Sequence, residues 1–244
     1  MTRLLYILGG LTLCVTCFHP HSLPAQPWMS PGQIAMAGVG IGVPDAIDGP
    51  NPASRGTSMV MTGVIREFGL PELTSSTLLL GFPRAAVGVR HLAFSGYGET
   101  ALVLSGSFPI SGWRFGGRLR ETWIRPAGFR TRLETEFTLG ALLALDGNSI
   151  GLAVTRDRLR VGWSAVKDSW TLAVDVQTSP SGLAPGVGWR FDGSQALSLL
   201  GGVATNPARL GMGASVRIDR WSLLLGFQRH LVLGWTSALA IAWG

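Results

Sequence analysis

The stretch Trp113-Arg114-Phe115-Gly116-Gly117-Arg118-Leu119-Arg120-Glu121-Thr122-Trp123-Ile124 decides the fold. Taken at alternate positions it separates into Trp113, Phe115, Gly117, Leu119, Glu121, Trp123 and, between them, Arg114, Gly116, Arg118, Arg120, Thr122, Ile124. A β-strand turns successive side chains to opposite faces, so this is a strand with one aromatic-tipped apolar face and one face of charges and glycine. Residues 132–145 repeat it, with Leu133, Thr135, Phe137, Leu139, Ala141, Leu143 and Leu145 against Arg132, Glu134, Glu136, Thr138 and Gly140.

The pattern continues to the C-terminus. Leu159, Val161, Trp163 and Ala165 oppose Arg160, Gly162 and Ser164, and Trp170, Leu172, Val174 and Val176 oppose Thr171, Asp175 and Gln177. Leu210, Met212, Ala214, Val216 and Ile218 oppose Arg209, Gly211, Gly213, Ser215 and Arg217. Trp221, Leu223, Leu225 and Phe227 oppose Ser222, Gly226 and Gln228; Trp235, Leu239, Ile241 and Trp243 oppose Gly234, Thr236, Ala238, Ala240 and Ala242. Turn signals separate the runs at Asp146-Gly147-Asn148, Lys167-Asp168, Asp192-Gly193 and Asp219-Arg220. Strands are predicted near 57–66, 73–82, 85–94, 99–108, 113–124, 132–145, 149–156, 159–166, 169–177, 186–191, 194–203, 208–218, 221–230 and 233–243. The alternation is weakest at 73–82, where Leu78-Leu79-Leu80 breaks it.

A soluble β-sandwich would bury the apolar face, whereas a membrane barrel would turn it to lipid and enclose the polar one. Two features favour the barrel. Trp113, Trp123, Trp170, Trp221, Trp235 and Trp243 stand at strand ends, as interfacial aromatics do. The opposite face is rich in glycine, and Lys167 is the one lysine of the chain, whereas a water-facing surface normally carries Lys and Glu. The expected fold is therefore all-β, an antiparallel transmembrane β-barrel of about fourteen strands, with twelve the lower bound. The composition agrees, with 46% hydrophobic residues, 14% charged ones and a mean hydropathy of +0.32. Beyond residue 25 no stretch approaches the roughly 20 apolar residues a membrane-spanning helix needs. The longest candidate, 231–244, is too short, which excludes a helical membrane protein.

Residues 1–25 carry Arg3, an apolar run from Leu4 to Phe18, and Leu23-Pro24-Ala25 before Gln26. This is the pattern of a secretory signal peptide cleaved after Ala25. Cys14 and Cys17 both lie inside it, preceded by Leu13 and Thr16 and not by the small residue of a lipoprotein site. The processed chain would then hold no disulfide and would draw its stability from closed hydrogen bonding in lipid. The expected organisation is a signal peptide at 1–25, an N-terminal plug or hatch segment at 26–56 and the barrel at 57–244. The formal charge of +6 comes almost wholly from arginines spaced singly among apolar residues. That spacing suits a barrel interior or lipid headgroups and excludes nucleic acid, which would call for basic clusters with exposed aromatics.

The N-terminal part carries a resemblance. Gln33-Ile34-Ala35-Met36-Ala37-Gly38-Val39-Gly40-Ile41-Gly42-Val43-Pro44-Asp45, followed by Asn51-Pro52-Ala53-Ser54, resembles the opening of FadL-like and PorV/PorQ-like outer-membrane proteins. Asn206-Pro207-Ala208-Arg209-Leu210-Gly211-Met212-Gly213-Ala214 resembles their late strands. The resemblance implies a fourteen-stranded barrel whose N-terminus folds into the lumen, with Asp45, Asn51, Pro52 and Ala53 as the plug motif. It also implies passage of hydrophobic molecules, as in FadL-like members, or service to protein secretion, as in PorV/PorQ-like ones. The chain departs from such relatives in having little length for extracellular loops and in closing on Trp243-Gly244 in place of a terminal aromatic.

Enzyme chemistry is not expected. Of the histidines beyond residue 25, His91 lies within a strand and His230 closes one beside a turn, and neither belongs to a nucleophile elbow or metal-ligand spacing. The glycines at 38, 40 and 42 lack the βαβ context of a nucleotide loop. No catalytic residue, cofactor or metal is therefore assigned. The charges that share the inner face, Arg114, Arg118, Arg120, Arg132, Glu134 and Glu136, form a candidate luminal wall. They would serve as a salt-bridge ladder or as an arginine constriction favouring anionic solutes such as carboxylates. The expected role is passage of small hydrophobic or amphipathic molecules across a Gram-negative outer membrane; the alternative is a non-conducting structural or secretion-associated barrel. Expected partners are outer-membrane lipid, the barrel-insertion machinery, and hydrophobic small molecules or secretion components.

Overall fold

The alternation closes on itself. A computed structural model describes residues 30–41, 43, 50–54, 56–179 and 182–244; residues 1–25 and Asp45 lie outside them. The strands are β1 (Met59–Arg66), β2 (Thr74–Phe82), β3 (Ala85–Phe94), β4 (Tyr97–Ile110), β5 (Trp113–Pro126), β6 (Arg132–Leu145) and β7 (Asn148–Val154). They continue as β8 (Leu159–Lys167), β9 (Trp170–Ser179), β10 (Gly182–Asp192), β11 (Leu197–Ala204), β12 (Arg209–Ile218), β13 (Trp221–His230) and β14 (Gly234–Trp243). Each pairs antiparallel with its sequence neighbours, and β1 closes the barrel on β14 through Val60↔Trp243 to Arg66↔Ser237. No strand edge is left, so the backbone bonds within the wall, as hydrocarbon requires.

The periodicity sorts into outside and inside. Phe115, Leu133, Phe137, Leu139, Ile150, Met212 and Leu225 stand exposed on the outer face, while Arg120, Thr122, Thr138, Ser164 and Asp175 on the opposite face are buried. A water-soluble monomer does not expose so continuous an apolar surface. Leu79 explains the break in alternation at 78–80. It points inward, 3% exposed, and joins Met61, Ala86, Ala240 and Ala242 in an apolar cluster on the inner face of β1–β3 and β14. Burying it is worth on the order of 2 kcal/mol. His91 turns outward, and its Nδ1 lies 3.0 Å from Thr100 Oγ1.

The end that holds both barrel termini carries two-residue turns at 83–84, 111–112, 146–147, 168–169 and 219–220 and a four-residue turn at 193–196. Ser111, Gly112, Gly147, Asp168 and Asp219 take positive φ there, as tight hairpin turns require. Longer connections, 67–73, 127–131, 155–158, 205–208 and 231–233, lie at the opposite, loop end, together with a two-residue turn at 95–96. Trp113, Trp170, Trp221 and Trp243 ring the terminus end, and Trp123 and Trp235 lie toward the loop end.

Two strand starts differ from the sequence reading by more than two residues. β10 begins at Gly182, not near 186, because Pro185 is accommodated: β11 pairs with β10 only from Gly186↔Ala204, so Pro185 lies on a local edge and its missing N–H breaks no ladder there. β11 begins at Leu197, not 194, because Ser194 Oγ accepts hydrogen bonds from the Ala196 and Leu197 N–H groups and holds a turn.

Candidate functional site

The inner face of the wall is built to receive backbone. A short helix α1 (Pro31–Ala35) starts at Ser30, whose Oγ accepts from Gln33 N–H at 3.2 Å. It ends in a Schellman closure, Gly38 N–H to Gln33 O at 2.7 Å and Ala37 N–H to Ile34 O at 3.1 Å, with Ala37 at φ 55°. From there to Ala53 the described residues run over inward glycines on successive strands. Pro31 covers Gly226, Ala35 covers Gly211 and Gly213, and Met36 covers Gly202; Val39 covers Gly186 and Gly188, Ile41 covers Gly162 and Gly151, and Asn51 and Pro52 cover Gly140 and Gly116. A Cβ on Gly202 would lie 2.5 Å from Met36 O, and one on Gly188 would lie 2.8 Å from Met36 Cε. At Gly202 the obstacle is backbone and excludes any side chain, whereas at Gly188 it is the end of the Met36 side chain, which would have to shift.

Polar anchors fix the segment where β9 presents an acid in place of a glycine. Asp175, 3% exposed, accepts hydrogen bonds from Gly40 N–H at 2.8 Å and Ile41 N–H at 3.0 Å. Arg160 Nη2 donates to Gly38 O at 2.6 Å and lies 3.4 Å from Asp175 Oδ2. Asn51 Nδ2 donates to Ile41 O at 2.9 Å and Ala141 O at 3.0 Å. Asn51 thus ties the two described stretches of the segment to each other and to β6.

Above the segment, toward the loop end, lies a cavity of about 480 Å³. Residues 33–34 and 37–39 form part of its lining, with Ile65, Phe68 and Val103 as apolar wall and Arg90, Arg118, Arg120, Arg158, Arg160 and Arg209 as basic wall. The lining acids are Glu67, Glu136 and Asp175. On the β3–β6 side Arg90, Arg118 and Arg120 stand with two acids, Glu67 and Glu136. Arg90 is paired with Glu67 and donates to Ser75 Oγ, and Arg120 faces Glu136 across the β5–β6 ladder. Burial pushes the Glu67 carboxyl above its ordinary range, and the Arg90 guanidinium beside it pulls it back. Arg118 also borders a crevice that continues past Asn51, Pro52 and Ser54, with a volume of about 10 Å³. That is room for about one water molecule.

Of the charges predicted to share a wall, Arg118, Arg120 and Glu136 line this cavity. Arg114 sits lower, opposite Pro109 and Leu142, toward the terminus end. Arg132 and Glu134 pair with each other at 3.0 Å at the loop-end rim, with the Arg132 side chain 63% exposed. Of the motif residues, Asn51, Pro52 and Ala53 are buried. Alternation placed Arg160, Asp175 and Arg209 on the inner face without marking them as a site; Glu67 and Arg90 carried no signal beyond their charge. The described residues contain no group of three or more His, Cys, Asp or Glu able to hold a metal.

No protein-family model and no curated protein matches the chain. Solved structures do. The Acinetobacter baumannii outer membrane protein Omp33 is similar over 76% of this chain and 96% of its own, with 11% identity and a TM-score of 0.56. A triple mutant of the Rhodopseudomonas blastica porin is similar over 78% and 98%, with 11% identity and a TM-score of 0.47. At such identities the likeness to Omp33 concerns the fold, a closed antiparallel barrel.

Proposed function

We propose that the chain spans a Gram-negative outer membrane and passes small amphipathic molecules, with residues 26–56 as a luminal plug and no enzymatic activity. The reading rests on one observation above others: the 480 Å³ cavity at the loop end joins apolar wall at Ile65, Phe68 and Val103 to a basic wall, over a floor of chain segment. The outer-membrane address is supported by the exposed apolar belt, by mostly two-residue turns at one end and mostly longer connections at the other, and by the likeness of fold to Omp33. The FadL-like and PorV/PorQ-like resemblance of 33–54 points the same way.

The address has its own test. Leu225 lies mid-strand in β13 on the outer face. Leu225→Arg is expected to destabilise the inserted barrel by about 2–4 kcal/mol, read as a lower urea midpoint in lipid vesicles than wild type. An unchanged midpoint would mean that this face does not meet hydrocarbon.

Passage is tested with vesicles holding the purified protein and an aromatic sulfonate, whose permanent charge keeps it from crossing lipid unaided. Faster influx than in protein-free vesicles, and faster than for a neutral sugar of like size, is expected. Equal influx would retire passage. The crevice past Asn51, Pro52 and Arg118, with space for about one water, supports the second reading, a barrel kept shut that serves as a structural or secretion partner. The plug must shift for passage, so influx is expected to be slow.

A further inference from the structure

We infer that Arg158, Arg160 and Arg209 form a binding site for the oxyanion group, carboxylate or phosphate, of a small solute entering the vestibule. The site deepens the passage reading above and rests on it for its solute.

The three guanidinium groups line one side of the cavity, from the connection before β8, from β8 and from the start of β12. Chain distance hides the grouping, since β8 and β12 are separated along the wall by three strands. The charges that reach Arg209 are those of Arg160 and Arg158, both positive. Its Nε is buried and finds no hydrogen-bond partner among the described residues, and the same holds for Arg160 Nε. Buried guanidinium donors normally find acceptors, so an open donor on each of two neighbouring arginines defines a place for an anion.

The local acids do not fill that place. Asp175 is engaged by Gly40, Ile41 and one terminal nitrogen of Arg160, which holds that side chain in a fixed orientation. Asp157 lies 3.6 Å from Arg158 Nε and is not among the residues that line the cavity. The β3–β6 wall also holds open donors, Arg120 Nε and Nη2, but there Arg90 has Glu67, and Arg120 has Glu136 on the facing strand, whereas Arg209 has no acid beside it among the described residues. An oxyanion would relieve the mutual repulsion of the trio and accept from planar donors whose geometry suits two oxygens at once. The neighbouring floor, Ala37 to Val39, would leave the solute's remainder in the wider, partly apolar part of the cavity.

The test is isothermal titration of the purified full barrel in detergent micelles with benzoate and, separately, inorganic phosphate. One-to-one binding of at least one of them to wild type is expected, weakened at least tenfold in Arg209→Gln. Arg209→Lys, which keeps the charge and loses the planar fork, should bind more weakly than wild type and more tightly than Arg209→Gln. Arg132→Gln, the same loss of charge at the exposed rim, should stay within twofold. Slower migration of the unfolded than of the folded barrel in unheated gels checks that each variant has folded. Absence of binding by both probes, or equal weakening by Arg209→Gln and Arg132→Gln, overturns the site. Binding needs no passage, so anion binding without sulfonate influx would fail the passage reading and leave this site standing, and influx without binding would do the reverse.

Discussion

Replacing Asp175 by alanine is expected to loosen the N-terminal segment and to lower stability by about 3–5 kcal/mol, the usual effect of removing one partner of a buried charged pair. The wild-type carboxylate accepts from Gly40 N–H and Ile41 N–H and stands 3.4 Å from Arg160. Alanine leaves two backbone donors without an acceptor and the Arg160 charge without its acid, in a place that is 3% exposed at position 175. Barrel closure does not depend on this contact, because β8, β9 and β10 pair through their backbones. The loss should therefore fall on the segment. Val39, 3% exposed, reports on it: a Val39→Cys probe should resist maleimide in the otherwise wild-type chain and react in the Asp175→Ala background. Asp175→Asn keeps an oxygen acceptor and removes only the charge, so its loss should be smaller, about 1–3 kcal/mol. If the probe stays shielded and the midpoint stays put in Asp175→Ala, the carboxylate is not what holds the segment.

Much of the wall was legible because a strand writes its two faces into every second residue. Trp113 to Ile124 and Arg132 to Leu145 showed which side chains turn inward, and Asp168 and Asp219 marked turns whose positive φ short polar residues tolerate. Alternation reports a face and says nothing of position around the barrel, so it grouped Arg114 with Arg120 and could not bring Arg209 to Arg160. It also assumes a polar interior, which fails at Leu79, where the lumen is filled by Met61, Ala86 and Ala240. The extent of β4 and β10 was hidden by Pro109 and Pro185, both at positions where only one neighbouring strand is paired. The partners of Asp175 lay beyond any local pattern, since Gly40 and Ile41 come from the far end of the chain. The inward glycines were visible as too many for a solvated face; what they make room for required the fold.

Gly116 and Gly117 turn that room into a paired test, because they are adjacent in β5 and point to opposite faces. A Cβ on Gly116 would strike the carbonyl of Pro52 and come 2.6 Å from Ala53 N, all backbone that cannot rotate away. A Cβ on Gly117 would meet nothing nearer than the Phe137 ring, at 3.7 Å, on the outer face. Gly116→Leu is therefore expected to lower stability by about 3 kcal/mol, the upper end of ordinary overpacking, or to force residues 51–53 off the wall. Gly117→Leu should stay within about 0.5 kcal/mol, as a further apolar side chain on an apolar surface. The two outcomes for Gly116→Leu separate at Ala53, which is fully buried. In a chain expressed from Gln26 an Ala53→Cys probe is the sole thiol, so labelling reports release of the segment directly. Strain without release lowers the urea midpoint and leaves the thiol shielded; release exposes it. Equal, small effects of leucine at both positions would mean that the inner face at Gly116 is as open as the outer one, and that residues 51–53 do not lie against it.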